Sequence, residues 1–167
     1  MLDSHAAELG DDFTAYRNHA YRVVNLCVAL SPCDAPTLEK VALAAAFHDL
    51  GIWTAHTFDY LAPSIDLACR HLECAGHGDW RENIAGMIRE HHKVRRYRGE
   101  DAELIEPFRR ADWIDVSLGV LSFGLPRAQL RGILARWPNA GFHRRLLQLT
   151  LAQARAHPLR PVPVLKW

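Results

Sequence analysis

No apolar run in this 167-residue chain approaches the ~18 residues a membrane-crossing helix needs, so no membrane association is expected. The opening stretch MLDSHAAELGDD has neither a basic start nor an apolar segment behind it, so no secretory leader is expected there. Cysteine is sparse. Cys27, Cys33, Cys69 and Cys74 form no CxxC pair and are too few for a disulfide scaffold, which predicts reduced thiols in a cytoplasmic protein. Net charge is almost absent at +1, which argues against a dedicated nucleic-acid binder. Alternating apolar and polar residues are missing as well, so no strand is expected.

What remains is a helical globular protein with an unusual supply of one residue. Apolar residues make up 49% and charged residues 23%, and the length suits one domain over residues 1–167 with a core of its own. Histidine numbers ten, a rich stock of imidazole ligands. The small net charge conceals an asymmetry: residues 1–83 hold 5 Lys/Arg against 12 Asp/Glu, and residues 84–167 hold 15 against 7. A basic second half suits a small anionic substrate, or else reflects only solvated helix faces that differ in sign.

Apolar residues at helical spacing predict helices over about 12–30, 37–53, 64–75, 80–94 and 102–121. Two more follow Leu125-Pro126 and Trp137-Pro138, the last ending near His157. The segment SPCDAP separates the first two, with Asp34 as N-cap and Pro36 in the first turn. Connections are short, which predicts antiparallel packing in an all-α, single-domain bundle of six to seven helices. The proline-rich tail PLRPVPVLKW is expected to lie extended along the surface.

Polar residues interrupt the apolar stripes at a few places. His19 falls between Tyr16 and Val23 on the first helix, and His48 shares the Val41–Ala45–Ile52 face of the otherwise apolar VALAAAFHDLGIW. Asp49 follows His48, and Asp112 lies on the stripe of Ile105, Phe108 and Val116. A buried ionised carboxylate costs several kcal/mol unless it is paired or coordinated. Either these are separately satisfied core residues, with Asp112 paired to Arg109 or Arg110, or a divalent cation satisfies all four together.

The segments RNHAYRVVNLC, AAAFHDLGIW, MIREHHK and RRADWIDV, in that order, resemble the successive motifs of the HD-domain superfamily of metal-dependent phosphohydrolases. The resemblance covers about residues 13–118, leaving helices and tail at 119–167. It implies His19, His48, Asp49 and Asp112 as ligands of one divalent metal, such as Mn, Fe, Co, Ni or Zn, with Mg also admissible. It implies His91, ahead of His92, as the additional histidine, and Asp49 and His91 as catalytic. The implied reaction is hydrolysis of a small molecule, a phosphoester first, by a metal-activated water. Lys93 and Arg22, near His91 and His19, are expected to bind a substrate anion.

The chain departs from that family beside the His-Asp pair. Leu50, Gly51, Ile52 and Trp53 stand where a catalytic glutamate or a lysine is common, so an acid or base must come from elsewhere, with His56, Asp59 and Asp115 as candidates. HDLGIWTAHTFDYLAPSIDLACRHL is also similar in layout to the cyanamide hydratase type, with Trp53, Phe58 and Tyr60 available to line a pocket. The alternatives are an HD-type diiron oxygenase or hydratase and a non-enzymatic binding module. A dinuclear site uses a further histidine about 24 residues before His91; that register falls at Leu67, and His71 and His77 lie nearer in sequence, so one metal is expected.

Overall fold

Helix signals and helix ends explain most of the architecture in the computed structural model, which describes residues 1–159 and 163–165. Seven helices of ten or more residues occur among the described residues: α1 (Phe13–Leu30), α2 (Ala35–Phe47), α3 (Leu61–Ala75), α4 (Arg81–Glu90), α5 (Ala102–Val116), α6 (Arg127–Arg136) and α7 (Phe142–Ala156). Short helical turns at Ala6–Leu9 and Gly51–Thr54 join them, and no strand occurs among the described residues. The carboxylate of Asp34 accepts the Thr37 N–H at 3.0 Å and starts α2 as the sequence predicts. Gly76, at φ 76°, ends α3 in the left-handed region while His77 N–H bonds back to the Leu72 carbonyl.

Three helices stop earlier than their apolar pattern predicts, and each stop serves the site. α2 ends at Phe47, so His48 to Leu50 form a turn rather than three more helical residues. Gly51 follows because a Cβ there would lie 2.6 Å from the Tyr60 carbonyl oxygen, and its N–H donates to Ser64 Oγ. α4 ends at Glu90, which leaves His91 and His92 in a turn. α5 ends at Val116 because Leu118 and Gly119 take positive φ, and Gly119 N–H closes on the Ile114 carbonyl.

α1 is the spine. It packs along α5 and α2, while α4 lies against α3, α5 and α2. Tyr16, Val23, Leu26, Leu50, Ile84, Met87, Ile88, Phe108 and Ile114 are shut off from solvent at the centre. Each such large side chain stabilises the fold by about 1.5–3 kcal/mol relative to exposure. The expected surface course of the tail fails at Val164, which is buried in this core; Arg160, Pro161, Val162, Lys166 and Trp167 lie outside the described residues. No helix among the described residues is long and apolar enough to cross a membrane.

Candidate metal centre

Three histidines reach the interior with one nitrogen anchored and the other presented. His19 Nδ1 lies 2.6 Å from Asp115 Oδ2, His48 Nδ1 2.9 Å from the Ala45 carbonyl, and His91 Nδ1 2.7 Å from the Ile88 carbonyl. Carbonyls and carboxylates accept, so each Nδ1–H is the donor and each Nε2 is turned inward. Metal-binding histidines are oriented by such outer partners. α1 supplies His19, the turns after α2 and α4 supply His48–Asp49 and His91, and α5 supplies Asp112; all five are buried.

The inward atoms form one shell. His19 Nε2 and His48 Nε2 are 2.9 Å apart. Asp49 Oδ2 stands 3.5 Å from His19 Nε2 and 3.4 Å from His48 Nε2, and Asp112 Oδ1 stands 3.6 and 3.7 Å from the same two nitrogens. Donors held ~2.1 Å from a shared tetrahedral cation would be ~3.4 Å apart, so these separations fit a divalent metal. The other Asp49 oxygen, Oδ1, faces His91 Nε2 at 3.4 Å. Asp49 Oδ1, Asp112 Oδ1 and His91 Nε2 are buried without a hydrogen-bond partner among the described residues, as expected of atoms set to meet a ligand. His48, Asp49 and His91, and also His91, His92 and Asp112, lie within ligand distance of one another.

Without a cation, protons hold the cluster together. Burial works against charge on His19, but its hydrogen bond to the Asp115 carboxylate and the nearness of Asp49 push its pKa up to about 9. Burial is likewise outweighed at Asp49, where His48, His19 and His91 hold the carboxyl well below its usual range. His91 is raised despite burial, by Asp49 and Asp112. His92 moves the other way, down to about 3, because burial and the neighbouring His91 disfavour its cation.

Asp115 and Arg22 form the layer behind His19. Arg22 Nε donates to Asp115 Oδ1 at 2.5 Å and Nη2 to Oδ2 at 2.9 Å, while Nη1 reaches the Trp137 and Pro138 carbonyls. Arg22 is therefore corrected from a substrate ligand to a buried brace, since its guanidinium is spent on Asp115 behind His19. Asn18 also donates to the Pro138 carbonyl, and Phe142 stacks on the His19 ring at 4.0 Å. The region after residue 118 thus walls the centre, although the family-like motifs end before it.

The remaining expectations divide. Arg109 and Arg110 pair with Glu106, not with Asp112, so the ion-pair alternative for Asp112 fails. Lys93 Nζ lies 3.9 Å from Glu90 Oε2 and is not among the residues lining the cavity above the shell, against its expected role in binding substrate. His56 and Asp59 are exposed and line other surface depressions, so neither serves the shell as acid or base. Asp115, the third candidate, orients His19 instead. His71 packs on Phe47 and His77 on Trp80; neither joins the ligand groups.

A cavity of about 260 Å³ opens onto Asp49 and Asp112. Phe58, Tyr60, Trp113, Val116, Leu146 and Leu147 supply most of its wall, with His92 and His143 at the polar end. Trp53 does not line it; its ring packs on Tyr16 and its indole N–H donates to Asp12. The Tyr60 hydroxyl lies 2.5 Å from His92 Nε2. Sequence reasoning missed Trp113, Phe142 and His143 altogether, and helical spacing from Asp112 could have found only Val116 on this wall. No family model, no curated protein and no solved structure matches the chain.

Proposed function

We propose that this protein is an HD-type metal-dependent hydrolase of a small molecule that uses one divalent transition metal. The observation that carries the proposal is the meeting of His19 Nε2 and His48 Nε2 at 2.9 Å, flanked by two carboxylates. With each Nδ1–H committed elsewhere, two lone pairs confront one another, and only a proton or a metal cation relieves that. His19, His48, Asp49 and Asp112 would hold the metal, and their mixed imidazole and carboxylate donors suit Mn, Fe, Co, Ni or Zn, with Mg a weaker fit. A metal there supplies Lewis acidity and makes water a nucleophile near neutral pH.

The chain's own groups do the rest. Asp49 Oδ1, free of hydrogen bonds and facing His91, orients a water and accepts from it. His91 Nε2 holds a proton beside that oxygen for the departing group. Free thiols, with Cys33 and Cys74 exposed, fit the reducing cytoplasm in which we place the protein. The test is metal analysis of protein purified without added metal, with ester turnover before and after chelation. About one equivalent per chain and turnover lost on chelation are expected; turnover undiminished after verified metal removal would sink the mechanism. A second reading rests on His91, His92 and Asp112, which lie within ligand distance of one another and could hold a further cation. Two equivalents of iron with oxygen consumption would favour it, an HD-type diiron oxygenase.

A further inference from the structure

The wall above the shell is apolar and, among the described residues, carries no lysine or arginine. We propose that the substrate is an uncharged, largely apolar small molecule with a neutral acyl group, an ester or amide, rather than a phosphoester; this rests on the hydrolase reading above.

Asp49 and Asp112 together would offset one divalent cation, which leaves the proton of His91, already facing Asp49 Oδ1 at 3.4 Å, and no lysine or arginine among the described residues of the wall to meet a phosphoryl dianion. The cations that could have met it are committed: Arg22 to Asp115 behind His19, and Arg109, one turn before Asp112 on α5, to Glu106. Both ring nitrogens of His143 are already engaged, Nε2 3.0 Å from the Asp115 carbonyl and Nδ1 with the Asn139 side-chain amide. Thr150 spends its hydroxyl on the Leu146 carbonyl. An anion entering this wall would lose water without gaining a partner.

Shape agrees. At about 260 Å³ the cavity is smaller than the ~300–1,000 Å³ of drug-sized sites, so the ligand is small. Trp113 and Tyr60 offer flat apolar faces to its body, and Asp49 and Asp112 mark the end where the reacting group lies. In the reaction, the water oxygen bonds to the acyl carbon and the acyl–oxygen or acyl–nitrogen bond breaks. One water proton leaves on the alcohol or amine, and the other remains on the carboxylic acid.

The experiment compares neutral and anionic probes of similar size on zinc-loaded protein of measured stoichiometry. Benzamide and phenylphosphonate are titrated and followed by amide chemical shifts, and hydrolysis of phenyl acetate is compared with that of phenyl phosphate. Benzamide is expected to bind at least about tenfold tighter, with shifts at Trp113 and Val116, and phenyl acetate to be the better substrate. Val116→Lys, which places an ammonium in the wall, should reverse the binding order. Phenylphosphonate binding as tightly as benzamide in the parent protein would overturn the inference. That result would leave the hydrolase reading standing, whereas zinc content near zero would defeat that reading and, with it, the inference that rests on it.

Discussion

α5 runs between two buried clusters of charge that are built on opposite terms. At its first half Glu106 accepts from Arg109 at 2.7 and 2.8 Å, from Arg110 at 2.7 Å and from the Tyr97 N–H at 2.9 Å, and Arg109 also donates to the Lys93 carbonyl. At its second half Asp112 presents an oxygen with no hydrogen-bond partner, across from similarly bare atoms of Asp49 and His91. The first cluster is closed: it ties the segment 93–97 to α5 and so fixes where His91 and His92 fall. The second is open and asks for a cation from outside. Burial alone does not separate the two; the count of met and unmet lone pairs does.

The largest effect should come from striking the open cluster. Asp112→Ala removes a donor from the shell, and metal affinity should fall by more than the ~10–100-fold typical of losing an outer partner. His48→Ala should do the same while far-ultraviolet circular dichroism stays helical. Calorimetric titration with zinc reads this, and parental affinity in either variant would remove that residue from the ligand set.

Next in size is the proton competition. Below about 9 the metal-free protein carries a proton on His19, so metal must displace it. Apparent affinity should climb about tenfold per pH unit up to that value and then flatten, with proton release visible as buffer-dependent heats. In the metal-free protein the stability signs run oppositely for the two partners. His19, raised from 6.5, contributes fully below 6.5 and loses that contribution as pH rises through about 9. Burial pushes Asp115 up, but His19 and Arg22 bring it down to about 2, so its contribution is present above 3.8 and lost as pH falls through about 2. Removing metal should therefore leave stability greatest between 3.8 and 6.5 by chemical denaturation, and a metal-free optimum above pH 9 would contradict the His19–Asp115 assignment.

Asp115 stands between the clusters, closed by partners yet touching a ligand. Asp115→Asn keeps the size and one acceptor but drops the charge that polarises His19. Metal affinity should fall by about 10–100-fold, less than for Asp112→Ala. An equal loss in both variants would mean that Asp115 binds the metal itself.

The sequence made the open cluster easier to read than the layer around it. His19, His48, Asp49 and Asp112 each break an apolar stripe, and the seven helices show in periodicity and caps because those are local signals. Helix ends at Phe47, Glu90 and Val116 were missed because the stopping cause is tertiary or a positive φ at Leu118, which no pattern of apolar residues encodes. Arg22, three residues after His19, is expected from the sequence to bind a substrate anion. Its partner lies 93 residues away, so nothing in the sequence chose between substrate anion and Asp115. Phe142, stacked on His19 from a helix beyond the family-like motifs, had no signal at all.

The smallest effect on metal should come from the closed cluster, and it is the sharpest check on the comparison. Glu106→Gln keeps the shape of the side chain and removes its charge, which leaves Arg109 buried with a weaker partner. Metal affinity should be unchanged, because the hydrogen bonds of the network reach the backbone at Lys93 and Tyr97 and none of the five side chains of the shell. Stability should drop by about 1–3 kcal/mol, as for other buried polar groups left poorly matched. Burial raises the Glu106 carboxyl, but Arg109, the Tyr97 N–H and Arg110 pull it down to about 2. Its contribution is therefore present above 4.5 and fades as pH falls through about 2, so the variant should lose part of the parent's acid sensitivity in that window. Urea titrations at several pH values, paired with zinc calorimetry, read both quantities. A variant that loses metal affinity in step with stability would show that the two clusters are one unit, and the division drawn along α5 would be wrong.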